Sequence, residues 1–434
     1  MTAATRISIT NGHIIDPAND IDTTTDLHIA DGRIIAIGDA PDGFVADQTI
    51  DASHQLVIPG LVDLATRLRE PGLEHKGTIT SECRAAAAGG VTTLTCPPDT
   101  DPVTDTPAVV ELIRHRAEQT GLARVLCLGA STQGLNGKNI SEMGALREAG
   151  CVGVSNAWNP VENNLVRRRI MEYAATYNLT VFLHAEDTSL RNSGCMHEGP
   201  VSTRLGLPGI PVAAETVAVA RDLALIEATG VRAHFCRISS ATAIRKIGRA
   251  QFDGLPISVD VSAHQLYLTE MDLADFNSQC HVRPPLRSQR DMQGLREGVR
   301  RNTISAICSD HQPHEADAKL VPFRESASGI SAIETLLPLT LRLAQESRMS
   351  LPELIARVTV EPAKILAIDA GTLSQGAVAD VTIVDPEHYW VVSPDTLFSH
   401  GLNTPFMGWE FKGRVTHTLL GGRLVHQLHD TSVP

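Results

Sequence analysis

The sequence predicts an α/β protein, a (β/α)8 TIM barrel carrying a small composite β-sandwich domain made from both termini. Three observations point there. Apolar strand-like runs end at Thr66, Pro97, Leu128, Ser155, His184, Arg237, Ala263 and Ser309, and every interval between them holds a helical stretch. Eight such units read as a closed parallel barrel. Both ends of the chain are rich in short alternating runs, and 434 residues accommodate one large barrel with an attachment. A doubly wound open sheet is the structural alternative, but eight consecutive βα units between two β-rich ends fit it less well.

Alternation at residues 6–15, 26–29 and 33–37 predicts antiparallel strands. Asp31-Gly32 joins the last two as a two-residue turn, which needs positive φ at both positions. Residues 380–384, 415–420 and 423–427 repeat the pattern, with Gly421-Gly422 at the last turn. The expected division is therefore a β domain from residues 1–56 and 370–434, and a barrel from 57–369. Helix starts are marked by Thr106 before Pro107 and by Ser350-Leu-Pro-Glu353, a capping box. The helix around Arg167-Arg-Arg169 is expected to turn Leu165, Ile170, Met171 and Tyr173 inward and its arginines to solvent.

Composition narrows the function classes. Lys and Arg number 37 against 50 Asp and Glu, a formal net charge of -13 that repels polyphosphate, and aromatic residues make up 4%. Both facts argue against a nucleic-acid partner. No apolar run is long enough to span a bilayer, and the alternating start lacks a signal-peptide core, so a cytoplasmic protein is expected. None of the eight cysteines falls in a C-x-x-C pair, which points to reduced core thiols. His75, His115, His388 and His429 lie in polar segments and read as surface histidines.

In a barrel of this kind chemistry lies at the carboxyl ends of the strands. There the chain carries Pro59-Gly-Leu-Val-Asp-Leu-Ala-Thr-Arg-Leu-Arg-Glu-Pro-Gly72, followed in order by Ala87-Ala-Gly-Gly-Val-Thr-Thr93, His184-Ala-Glu-Asp187, Pro284-Pro-Leu-Arg287, Ser309-Asp-His-Gln-Pro-His314, Gly329-Ile-Ser-Ala-Ile-Glu-Thr335 and Glu361-Pro-Ala-Lys364. These motifs resemble the dihydroorotases of the amidohydrolase superfamily, over most of the chain. The resemblance implies an amidohydrolase-type barrel and a chemistry in which two zinc ions polarise a water and an amide carbonyl while an aspartate moves the proton.

The metal ligands the resemblance implies are largely missing. Its H-x-H pair falls on Ala65 and Arg67, its bridging carboxylate on Asn156 (Ala157 if the register slips by one), and a histidine on Arg237. Alanine and arginine offer no lone pair to a metal. His184 and Asp310 remain, fewer than the three protein donors a zinc site needs, so no metal or other cofactor is expected. His234, an odd number of residues from 237, is expected on the opposite strand face.

On the substrate side Arg69 matches the arginine that holds the substrate carboxylate, and His314 is retained. Asp99 and Arg283 replace asparagines, and an acid at 99 would repel an anion. His264 is expected in a hydrogen-bonded structural role. Asp310, without metals, is expected within about 4 Å of the Arg67 or Arg237 guanidinium, which would lower its pKa.

A barrel kept while its metal site is dismantled points to binding or assembly. The chain resembles the non-catalytic dihydroorotase-like chain that accompanies aspartate transcarbamoylase, which implies a hetero-oligomeric scaffold in pyrimidine biosynthesis with the aspartate transcarbamoylase catalytic chain as partner. The competing reading is a dihydroorotase or related cyclic amidase with a single-metal or atypical site on His184 and Asp310.

Overall fold

The structure is a computed structural model that describes residues 6–428; residues 1–5 and 429–434, His429 among them, lie outside the described residues. The chain opens in the terminal β domain. Strands β1 (Ile7–Asp16) and β2 (Ile21–Ala30) pair antiparallel, and β3 (Arg33–Ile37) follows across Asp31 and Gly32 at φ 53° and 72°. β4 (Gln48–Asp51) and β5 (Leu56–Pro59) then add parallel to the two ends of β1. β2 is longer than the alternating residues 26–29 predict, because the β-branched run Thr23-Thr24-Thr25 continues the ladder opposite β1.

The first strand-like run, the one expected to end at Thr66, is two strands. It breaks at Gly60, where a side-chain β-carbon would lie 2.2 Å from Thr92 Oγ1, so only glycine lets the chain step from one sheet to the other. Beyond it lie the barrel strands β6 (Leu61–Asp63), β7 (Val91–Cys96), β8 (Arg124–Ala130), β9 (Gly153–Ser155) and β10 (Thr180–His184). A short parallel pair, β11 (Met196–His197) and β12 (Gly209–Ile210), decorates the next connection. β13 (Ala233–Cys236), β14 (Ile257–Ser262) and β15 (Ala306–Cys308) complete the barrel.

These eight strands are neighbours in chain order, all parallel. Past the ends of β6 and β15, Arg67 N donates to His311 O and His311 N to Ala65 O, each at 2.9 Å, which joins the first unit to the eighth. β16 (Val381–Val391), β17 (Glu410–Leu420) and β18 (Arg423–Gln427) return to the terminal domain, where β16 pairs with β5. Strands from the two ends of the chain thus share one hydrogen-bonded sheet around its own apolar cluster, which includes Ile9, Leu27, Val57, Val381 and Leu419.

Barrel strands are buried on both faces. Val62, Leu128, Phe182, Cys236 and Ala306 pack inside, while Leu94, Val125, Val181 and Phe235 pack outward against the helices. All eight cysteines are buried and free, and burial raises the pKa of Cys83, Cys127 and Cys151 to about 12. Pro107–Thr120 follows Thr106, and the Ser350–Glu353 capping box starts Leu351–Ala356.

In Asn164–Thr176 the expected faces are partly reversed. Leu165 is exposed, and Arg167 is half-buried with Nη1 3.0 Å from Asp222, a fully buried carboxylate on Val212–Thr229. Arg168 and Arg169 do face solvent, paired with Glu172. No described helix is long and apolar enough to cross a membrane.

Candidate functional site: an arginine-filled barrel mouth

Three of the mouth side chains sit on a local backbone feature. Arg69, Arg237 and Asp310 all have positive φ, at 64°, 52° and 50°, so the chain turns sharply as it leaves the strands. That turn overturns the parity expectation for His234. With Arg237 beyond the end of β13, strict alternation no longer applies. His234 lies in the barrel interior, packed on Phe182, with Nδ1 2.8 Å from Ser258 Oγ and Nε2 3.0 Å from Asp260 Oδ2.

At the positions where the resemblance implies metal ligands, Ala65 is a fully buried methyl group. Arg67 donates from Nε to Asp99 Oδ2 at 2.9 Å and holds Nη1 3.6 Å from Asp310 Oδ1. Arg237 Nε lies 3.5 Å from the same Asp310 oxygen. Asn156 is spent on its own loop and the neighbouring one after β8, accepting from Thr132 Oγ1 at 2.6 Å and Ser131 Oγ at 3.1 Å and donating to Asn159 O at 3.0 Å. A small cavity of about 40 Å³, room for a few water molecules, is lined by Asn156 and His184 among others.

The expected Asp310–arginine contact is present, but its expected effect on the carboxyl is not. Burial raises the Asp310 pKa to about 6, and Arg237 and Arg67 pull against that rise without cancelling it. Contacts of 3.5–3.6 Å are ion pairs without a hydrogen bond, and their attraction does not repay full desolvation.

Asp99 also differs from expectation: it is no free acid facing an anion. Burial would raise its pKa, yet the charge and hydrogen bond of Arg67 and the charge of Arg69 hold it below the ordinary value. Arg67 and Asp99 are therefore complementary replacements.

Arg69, the expected carboxylate clamp, donates from Nε to Pro313 O at 2.9 Å and sets Nη2 3.0 Å from His314 Nε2. Burial lowers it to about 10. His314 is lowered to about 3 by burial and then by Arg69, so it is neutral. His264 is fully buried and lowered to about 3 by burial. Its Nδ1 has no hydrogen-bond partner among the described residues, so the expected hydrogen-bonded role is not what this ring nitrogen shows. His184, lowered to about 4 by burial, has Nε2 3.9 Å from Glu186 Oε2. Of the surface histidines, His75 and His115 are exposed and His388 is half-buried.

Trp158 escaped the sequence reading. Its ring lies 4.9 Å from the guanidinium carbon of Arg237 and 5.1 Å from those of Arg67 and Arg283, and it meets the His184 ring edge-on at 4.3 Å. Arg283 donates to the Trp158 carbonyl at 3.3 Å and to Glu186, fastening the indole over the mouth. A tryptophan close behind a strand end, combined with arginines beyond two other strand ends and a third in the connection after β14, is the pattern that could have signalled it. His311 was also missed as a structural residue: its Nε2 lies 2.7 Å from Glu82 Oε2, and Nδ1 accepts from Ala332 N at 3.0 Å.

Of the positions where the resemblance implies metal ligands, only His184 and Asp310 carry an imidazole or a carboxylate, and two are too few for zinc. Among the described residues no group of three or more His, Cys, Asp and Glu side chains could hold a metal ion. The residues at the mouth do not fit a two-zinc centre.

A (β/α)8 barrel with a terminal β-sandwich domain and a histidine and an aspartate at its strand ends defines an amidohydrolase-superfamily architecture. The L-hydantoinase of Arthrobacter aurescens superposes with a TM-score of 0.87 at 23% identity, covering 98% of this chain and 97% of that one, a likeness of fold. Residues 54–243 match the family model described as Dihydro-orotase-like. The Dihydroorotase-like protein of Pseudomonas aeruginosa is 49% identical over 97% of this chain and 99% of its own length. Its counterpart in Pseudomonas putida is 48% identical over the same shares, and the Dihydroorotase of Syntrophus aciditrophicus is 43% identical, again over 97% and 99%. The chain belongs to the dihydroorotase-like family.

Proposed function

We propose that this chain is a catalytically inactive dihydroorotase homologue that serves as a structural subunit of a cytoplasmic aspartate transcarbamoylase complex in pyrimidine biosynthesis. The observation that carries the reading is the pair Arg67 and Arg237, whose guanidiniums stand at ligand positions and close on Asp310 at 3.6 and 3.5 Å. Two cations beside the retained carboxylate repel a metal dication and occupy the space a metal-bound water requires. Trp158 covers the same space from above. Arg69 is engaged by Pro313 and His314, which limits its use as a carboxylate clamp. Full-length likeness to relatives named Dihydroorotase-like protein supports the family part of the reading. The partner part rests on resemblance.

The test combines metal analysis of the purified chain, a dihydroorotate assay in both directions, and co-purification with the aspartate transcarbamoylase catalytic chain. The expected result is no stoichiometric zinc, no turnover above a buffer blank, and a stable complex. Chelator-sensitive turnover would instead support retained dihydroorotase or cyclic amidase activity at an atypical site. That second reading is favoured by relatives at 42–43% identity that are named Dihydroorotase.

A further inference from the structure

We infer that the loops spanning residues 270–281 and 315–326, beside the barrel mouth, form a docking platform for a protein chain other than a second copy, one whose contact face is apolar and rimmed by lysine and arginine. The inference rests on the assembly reading above and supplies its contact surface. Phe276 is 51% exposed, Leu320 79% and Val321 41%. Each lies within two residues of the bond from Ser278 Oγ to Lys319 O, 2.6 Å long, that joins the two loops.

The join is built at a cost. Lys319 is buried, and its ammonium donates to Ala327 O at 2.6 Å, Ser278 O at 3.0 Å and His281 O at 3.4 Å. His281 adds a contact from Nδ1 to Ser326 Oγ at 2.9 Å and packs its ring on Phe323. A buried ammonium is expensive to desolvate, and surface loops are ordinarily free to move. Here the ammonium holds two of them in one shape while they present apolar side chains to water. A surface ordered before contact loses less entropy when a partner binds.

Charge selects the occupant. The exposed charges on the two loops are Asp272, Asp275, Asp317 and Glu325 against Arg324 alone. A two-fold contact between copies would set these acids against themselves, on a chain of net charge -13. A basic rim on a different chain complements them and steers encounter.

The experiment uses the full chain co-expressed with the aspartate transcarbamoylase catalytic chain, with assembly measured by sedimentation velocity. The paired substitution Phe276→Glu/Leu320→Glu is expected to weaken association roughly tenfold or more, as loss of apolar anchors does, without moving the melting temperature. Phe252→Glu, at an isolated exposed aromatic on Ala241–Phe252, is expected to leave assembly unchanged. Asp275→Lys/Asp317→Lys tests the rim independently of the apolar residues and should also weaken assembly. If the parent assembles and both loop pairs assemble equally well, the platform is overturned while the assembly reading stands. If the parent itself does not assemble, that reading falls and the platform with it.

Discussion

Arg67 Nη1 and Asp310 Oδ1 face each other across 3.6 Å at the mouth of the barrel, both side chains almost wholly out of contact with solvent. The separation is an ion pair without a hydrogen bond, and Arg237 approaches the same oxygen at a similar distance. Two arginines sharing one carboxylate leave their own donors short of partners: Nη1 and Nη2 of Arg67 and Nε of Arg237 have no hydrogen bond among the described residues. The mouth is therefore filled, charged and incompletely satisfied, and its stability depends on protonation and on what covers it.

Stability is expected to fall as pH rises across the Asp310 titration. Its folded pKa, about 6, lies above the ordinary carboxyl value. Between the two the folded state holds the proton more tightly, so stability declines from about pH 4 to about pH 6 and this contribution is level above that. Glu334, raised to about 7 by burial, acts in the same direction. Asp310→Asn isolates the first group: in urea unfolding the variant should gain on the parent by up to about 3 kcal/mol as pH goes from 4 to 8. A difference independent of pH would sink this account.

Trp158→Ala is expected to destabilise the chain by about 2–3 kcal/mol, less than a fully buried tryptophan because the ring is only half-buried. The loss combines removed packing with the end of its contacts to three guanidiniums. Trp158→Phe should recover most of it. Equal losses for the two variants would show that the aromatic face does not matter.

Metal binding should be restorable. Ala65→His combined with Arg67→His and Arg237→His would add three imidazoles to His184 and Asp310, exceeding the donor count zinc requires and removing both opposing cations. About one zinc per chain should survive gel filtration, and none in the parent. A triple variant that folds and binds no zinc would show that the backbone of the mouth no longer presents these positions to a common point.

Arg167→Ala is expected to cost roughly 3–5 kcal/mol, because it leaves Asp222 buried without its main partner. Arg168→Ala, at an exposed pair with Glu172, should cost less than about 0.5 kcal/mol. Comparable losses in the two variants, measured by thermal unfolding, would contradict the dependence of the buried Asp222 on Arg167.

The barrel was legible from sequence because its signals are local and repeated. Apolar runs, helix caps and the Asp31-Gly32 turn each act through neighbours in the chain, and the strand ends they predict fall within a few residues of those observed. The break at Gly60 was not legible, since it depends on the approach of Thr92 from a neighbouring strand.

The absence of metal donors at Ala65 and Arg67 was also legible, because lone pairs belong to the side chain wherever it sits. What those side chains do instead was decided by tertiary structure alone. Asp99 reads as a lone acid until Arg67 is placed beside it, and Trp158 carries no signal until three arginines converge on its ring. Arg237 and His234 share the barrel interior because a left-handed turn at 237 breaks the alternation that their spacing implies. Donor chemistry is carried by each residue, whereas pairing, burial and the resulting charge balance depend on distances between segments far apart in the chain, and only the closed barrel sets those distances.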